Sequence, residues 1–365
     1  MKLRTTSSYA QEIRPLLEAS DFAPAPLRLL WIPVHYAVFA VSTLIFARGW
    51  APWPLELLLS LLVGASFAGL TFVGHEALHG AIVRNRPLRR AVGWLGFLPF
   101  AVSPRLWEVW HNRVHHGNTN HPGVDPDAYP ALAEYNASLS LRRVTDWVSP
   151  GRGRALGVVS LLVGFTVQSS HMLLAARALK FLDRRQYRLA LFETASAWAL
   201  WIALAIAIGP RPFLLAFGIP LVVGNAIIMS LILTNHSLSP HTEVNDPLVN
   251  SLSVSGHRFF DWLTLGFGFH VEHHLFPAMS GRHMPKLRAI VQTLFPERYQ
   301  GLPYFRALLL LHRSPRVYKD DTTLVDPRNG ALWPTLGSGI RHSPVLARDA
   351  GKVVVDDPIV RYRGV

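Results

Sequence analysis

Seventeen histidines occur in the 365-residue chain, and eight of them fall into three short groups. The first is His75-Glu-Ala-Leu-His79, the second His111-Asn-Arg-Val-His115-His116, and the third His270-Val-Glu-His273-His274. Spacings of three and four residues put imidazoles on one face of a helix. His116, one position on, is rotated by about 100° if its segment is α-helical. Each group can therefore offer two or three ring nitrogens to one point. A zinc ion takes about four ligands, so eight imidazoles suit two metals. Imidazole binds zinc, copper, iron and nickel alike, and ligand type alone does not name the ion. His236 closes the apolar run that ends Leu233-Thr-Asn-His236, and it is a ninth candidate ligand.

The elements that must position these groups are membrane spans. Half of the chain is apolar and only 16% is charged, outside the usual balance of soluble globular proteins. The apolar residues gather in long runs: Leu27 to Ala47, Leu55 to Val73, Ala190 to Ile208 and Pro212 to Leu233. About 20 apolar residues are needed to cross a bilayer. Ala91 to Val102 is too short and reads as interfacial. Ala155 to Leu179 carries Gln168, Ser169, Ser170 and His171 in mid-run. If all histidine groups build one site, two crossings must separate His116 from His236. The hairpin through Gly209-Pro210-Arg211 supplies both, so the Ala155 run lies in the interface or dips in and returns. The expected fold is all-α and integral to the membrane, with four transmembrane helices and a histidine-rich cap on the cytosolic side. The expected division is a lead-in over residues 1–26, a membrane domain over 27–299 and a polar cytosolic tail over 300–365.

Charge supports that orientation. The net charge of +13 sits in loops on the site side, whereas the outside turns carry only Arg48 and Arg211. That is the positive-inside bias of a membrane protein beside anionic headgroups, and it argues against nucleic acid as a partner. The sequence has no cysteine, which excludes disulfides, thiolate sites and iron–sulfur clusters. The first 25 residues contain no apolar core, so no cleaved signal peptide is expected. With the high Arg and Ala usage, a bacterial inner membrane is the expected location.

At the three histidine groups the chain resembles the membrane fatty acid desaturase and hydroxylase superfamily, whose signature is three histidine boxes in this order. The tail Leu275-Phe276-Pro277 after the third box is similar to that of acyl-lipid desaturases. The likeness covers roughly residues 54–297. It implies two non-haem irons held by the eight box histidines, with His236 matching an extra histidine near the last span. It also implies dioxygen as co-substrate, a long acyl chain as substrate, and a ferredoxin- or cytochrome-like electron donor. Some relatives place a water-linked asparagine where this chain has Ile232, with Asn235 beside His236 instead. His121-Pro122-Gly123 is similar to a cytochrome b5 haem motif, but Val124 breaks it, so no fused haem domain is expected.

Partners for the second nitrogen of each ring are expected among Glu76, Glu272, Asn118, Asp125 and Asp127. His35 and His171 read as structural. His121, His241, His257, His283, His312 and His342 read as surface residues. Three rival readings stand beside the desaturase. A hydroxylase or carotenoid ketolase would use the same boxes, because the outcome depends on how the substrate C–H bond lies against the metals. A zinc protease would use His75-Glu76-Ala-Leu-His79 as H-E-x-x-H with Glu76 as base, leaving six box histidines idle. A non-catalytic metal carrier or sensor is the third, but a transporter would place polar groups near the bilayer midplane, where this chain has few.

Overall fold

Proline and glycine mark where the apolar runs begin and end. Helix α1 (Trp31–Arg48) stops at Gly49, whose φ of 62° closes the last turn in a left-handed conformation. Helix α2 (Trp53–Leu78) starts again with Pro54 in its first turn, where no backbone donor is needed. The computed structural model describes residues 2–151 and 155–337. It continues through α3 (Arg86–Phe97), α4 (Pro104–Val109), α5 (Val159–Ala175), α6 (Arg184–Ile208), α7 (Ile219–His236), α8 (His270–Leu275), α9 (Met284–Leu294) and α10 (Tyr304–Arg313), with several shorter helices between.

Among the described residues, four helices are long and apolar enough to cross a membrane: Ala19–Arg48, Trp53–Leu78, Arg184–Ile208 and Pro210–His236. The apolar helix over the Ala155 run is only 17 residues long. It packs along α7, where the Thr166 backbone N–H donates to Asn225 Oδ1 at 3.0 Å. Close crossings hold the bundle. A Cβ on Gly96 of α3 would lie 2.6 Å from the Leu70 carbonyl and 2.7 Å from Cα of Gly74, so only glycine allows α2 and α3 to meet. Gly224 allows the same against Phe100 and Phe67. The start of α4 is pinned to α6, because Glu193 accepts from Ser103 Oγ at 2.6 Å and Arg105 Nε at 2.7 Å.

The fold is mostly helical, but the all-α expectation needs one correction: among the described residues two small sheets are present. Strand β1 (Ser253–Ser255) pairs in parallel with β2 (Gly301–Pro303). Strands β3 (Val317–Asp320), β4 (Thr323–Val325) and β5 (Leu332–Pro334) form an antiparallel meander. They lie in the segment expected to be a polar tail. Val317, Tyr318, Leu324, Val325 and Trp333 are buried there, and this short alternation is enough to fold residues 301–336 back onto the end of α7. The rest of the tail, with His342, lies outside the described residues.

Candidate metal centre

Helix α2 runs on past its apolar stretch, so His75 and His79 emerge one turn apart at its last turn, with ring centroids 4.7 Å apart. The second group does not sit on an α-helix. Trp110–His115 form a π-helical turn, and the His116 N–H donates to the His111 carbonyl at 3.0 Å. This i→i+5 turn is wider than an α-turn. His116 is therefore not swung away from His111, and their Nε2 atoms lie 3.1 Å apart. The third group occupies the short α8, and His236 is the last residue of α7.

The rings sort into two sets. His75, His79, His111 and His273 bring one nitrogen each to within 4.8 Å of one another, and His115, His236, His270 and His274 do the same. The second and third boxes thus each serve both sets. His116 sits between them, with Nε2 3.1 Å from His273 Nε2 and its ring stacked on His274 at 4.2 Å. Within the second set Nε2 of His270 lies 2.7 Å from that of His236 and 3.2 Å from that of His274. A metal with nitrogen bonds of about 2.0–2.1 Å holds neighbouring nitrogens about 2.9–3.4 Å apart. Nε2 of His75 and of His79 are buried without a hydrogen-bond partner. Buried lone pairs facing one another are costly unless a cation lies between them, so the donor set fits two metal ions.

The electrostatics keep most of these rings neutral. Burial, and then neighbouring imidazoles, hold His79, His111, His116, His270 and His274 well below the usual histidine range, and His273 at about 3. Neutral rings are what metals bind. His115 differs. Burial opposes its charge, but the Asp125 and Asp127 carboxylates outweigh burial and raise it to about 9. Asp125 lies 3.1 Å from its Nδ1 through both oxygens, and Asp127 lies at 3.4 Å. The carboxylates hold the proton on Nδ1, so the proton that a metal would displace is the one on Nε2, on the side of the other rings. The cluster of His111, His115 and Asp127 is thus read as ring orientation rather than a third ion.

The other expected orienting groups act elsewhere. Glu76 accepts from Arg28 at 2.6 Å, Ser280 Oγ at 2.9 Å and the Gly281 N–H at 2.6 Å. Glu272 accepts from Ser253 Oγ at 2.6 Å, Arg288 Nε at 2.9 Å and Tyr299 OH at 2.7 Å. Each clamps its helix from behind and touches no imidazole. Glu76 is therefore not placed to serve a protease. Asn118 donates to the Val114 carbonyl. Thr119, 3.1 Å from His274 Nδ1, and the Asn250 carbonyl, 3.5 Å from His236 Nδ1, do the orienting instead. Neither carries a local signal. Asn120, in the left-handed region at φ 54°, donates to the His236 carbonyl at 3.0 Å.

A cavity of about 550 Å³ opens against both sets, touching His75 and His111 of the first and His115, His236 and His270 of the second. Its other walls are mostly apolar, among them Phe97, Phe165, Ile228 and Ile232, with Thr71, Asp127 and Gln168 as polar points. A second void of about 330 Å³ lies across the Phe72–Phe267 ring pair and reaches His75 and His273. A model of the fatty acid desaturase family matches residues 48–306, which include every box. The chain belongs to the fatty acid desaturase family. This desaturase is 23% identical over 317 residues to the sn-1 linoleoyl-lipid 6-desaturase of Synechocystis sp., covering 77% of the chain and 83% of that protein. It is 24% identical over 319 residues to the chloroplastic omega-3 fatty acid desaturase of Glycine max, covering 82% and 68%. A shorter match, 28% over 130 residues, joins 34% of the desaturase to 35% of the sn-1 acyl-lipid omega-3 desaturase (ferredoxin) of Synechocystis sp..

Among the described residues, the remaining histidines of the desaturase lie outside the two sets. His35 is buried and stacks on Trp31 at 5.4 Å, and His171 is exposed. His257 caps a short helix by accepting from the Phe259 N–H. His121, His283 and His312 retain at least partial exposure. His241 is a correction: it is buried, stacked on Tyr318 at 3.5 Å, with Nε2 3.0 Å from the Tyr129 carbonyl. Burial under strand β3 could not be read from the sequence, because Tyr318, which covers the ring, comes from a distant part of the chain.

Proposed function

We propose that the desaturase inserts a double bond into the long acyl chain of a membrane lipid, using two irons held by His75, His79, His111, His115, His116, His236, His270, His273 and His274. The observation that carries this is the meeting of two four-imidazole sets at the wall of one largely apolar cavity. Irons bound there, with dioxygen and reductant, supply the oxidising power to take hydrogen from an unactivated C–H bond. The protein's own work is positional. Phe165, Ile228 and Ile232 line a slot that excludes water and lays a methylene chain against the rings. Phe72 and Phe267 stand where it meets the second void beside His75. Asp125, Thr119 and the Asn250 carbonyl hold three rings of the second set in orientation.

The site faces the cytoplasm in this reading, because Arg48 and Arg211 stand at the opposite end of the bundle while the arginine-rich loops lie at the site end. A bacterial inner membrane is the proposed location. Without cysteines the chain has no iron–sulfur relay of its own, so electrons come from a separate ferredoxin- or cytochrome-like protein. Basic loops favour an acidic partner. The test is expression in a host lacking unsaturated lipids, followed by mass spectrometry of its lipids. New unsaturated acyl chains are expected, and they disappear in His115→Ala and His273→Ala while the protein still inserts. A hydroxylated product would replace the proposal with the hydroxylase reading, and full activity in either variant would remove the metal assignment.

A further inference from the structure

We propose that Arg316 is a positioning residue for His236, joining the C-termini of α7 and α10 and holding the last turn of α7 in place. The inference rests on the two-metal reading of the histidine sets. Arg316 is 2% exposed, and among the described residues no carboxylate pairs with it. A buried charge needs a partner. Here the partners are backbone. One arm of the guanidinium donates to the Ser237 carbonyl, and Ser237 is both the C-cap of α7 and the residue after His236. The other arm donates to the Leu311 carbonyl at 3.3 Å, the Ser314 carbonyl at 3.1 Å and Ser314 Oγ, and Ser314 is the C-cap of α10.

A helix C-terminus carries roughly half a negative charge. Two such ends together balance about one guanidinium, which explains a buried arginine with no acid beside it. Burial lowers its pKa to about 10, opposed by Tyr129 and Tyr318, and it stays charged at neutral pH. The planar fork matters as much as the charge, because it reaches two helix ends at once. Strand β3, which begins at the next residue, reinforces the same junction. Tyr318 OH donates to the Ser239 carbonyl at 2.6 Å. The His241 N–H donates to the Asp321 carbonyl, and the Leu336 N–H to the Leu238 carbonyl, both at 2.8 Å. Ser237, Leu238, Ser239 and His241 are thus each tied to the segment 311–336. The family match ends at residue 306, so this support comes from chain beyond it.

Without the fork the Ser237 carbonyl loses its donor, the last turn of α7 keeps Asn120 and the Ser239 N–H on the His236 carbonyl, and the angle of His236 loosens. The second set then has three well-placed imidazoles instead of four. Loss of an outer partner typically weakens metal binding about 10–100-fold. The test is titration of the full-length, detergent-solubilised, metal-free protein with Co²⁺, read by visible absorption. The wild type is expected to take two ions. Arg316→Lys keeps the charge but not the fork, and its second ion is expected to bind about tenfold more weakly with the first unchanged. Arg316→Met is expected to lose about 100-fold for the second ion, and the exposed Arg313→Lys is expected to change neither. If Arg316→Met does not fold, Arg316→Lys decides. A wild type that takes fewer than two ions overturns the two-metal reading. Two ions in the wild type with an unchanged second affinity in Arg316→Lys overturn the role of Arg316 alone.

Discussion

Asp125→Asn is the sharpest perturbation of the proposed centre that leaves every imidazole in place. The Asp125 carboxylate accepts from His115 Nδ1 at 3.1 Å, the Asn120 N–H at 2.8 Å and the Asp127 N–H at 3.0 Å. Asparagine has the same shape but replaces one acceptor oxygen with a donor. Three N–H groups then compete for one oxygen. Either a backbone N–H is left buried and unpartnered, or the His115 proton moves from Nδ1 to Nε2 and blocks the lone pair the second set needs. Losing an outer partner weakens metal binding about 10–100-fold, equivalent to about 1.4–2.7 kcal/mol. The loss falls on one ion, because His115 belongs to the second set only. Equilibrium dialysis against graded free iron, with metal counted by mass spectrometry, reads this directly. The variant is expected to fill one site at wild-type iron and the second only at about 10–100-fold more. Two ions retained by the variant over the same range as the wild type would refute the tautomer argument.

Glu76→Gln is expected to keep its iron and its activity, because Glu76 holds Arg28, Ser280 and Gly281 and no ring. Its stability is expected to fall by about 1–3 kcal/mol, measured as a lower Tm. Full iron with no activity would instead make Glu76 a base. Ile232→Trp fills part of the cavity wall and is expected to shift the products toward shorter chains by gas chromatography, whereas an unchanged profile would move the substrate elsewhere. The metal-free protein is expected to be most stable at about pH 7–8, because six rings held low outnumber the one held high. His115, raised to about 9, adds stability that is complete below its unfolded value of 6.5 and lost as pH climbs through 9. The rings held low, such as His273 at about 3, bind protons more readily unfolded, so stability also falls below 6.5. Thermal melts from pH 5 to 10 test this, and a flat curve would contradict the burial of these rings.

The convergence of the histidines is legible in the sequence because most of it is local. An i, i+4 pair at the end of an apolar run places two rings at one helix end wherever the helix goes. His236 emerges from counting crossings. The π-turn at Trp110–His115 is not legible, since His111 and His115 fit an α-helix equally well and only the tertiary contacts to α2 and α8 select the wider turn. The roles of Glu76 and Glu272 are hidden for the same reason: a carboxylate next to a histidine in sequence points about 100° away around the helix, where Arg28 and Arg288 arrive from other helices. Asp125 and Asp127 can be found because a short loop returns them to His115. Thr119 and Asn250 have no such tether. The strands over 317–334 are masked by their polar, proline-containing surroundings, although Tyr318, Leu324 and Trp333 form the buried face.

The wide turn at Trp110–His115 lets one short segment serve both sets. Wound as an ordinary helix, the same residues would put His116 about 140° around the axis from His111. His111 and His115 would still share a face, yet His116 would leave the point where the two sets meet. The hydrogen bond that spans five residues instead of four draws His116 back over His111, so a local change of winding, with no change of sequence, decides whether three rings or two reach the centre.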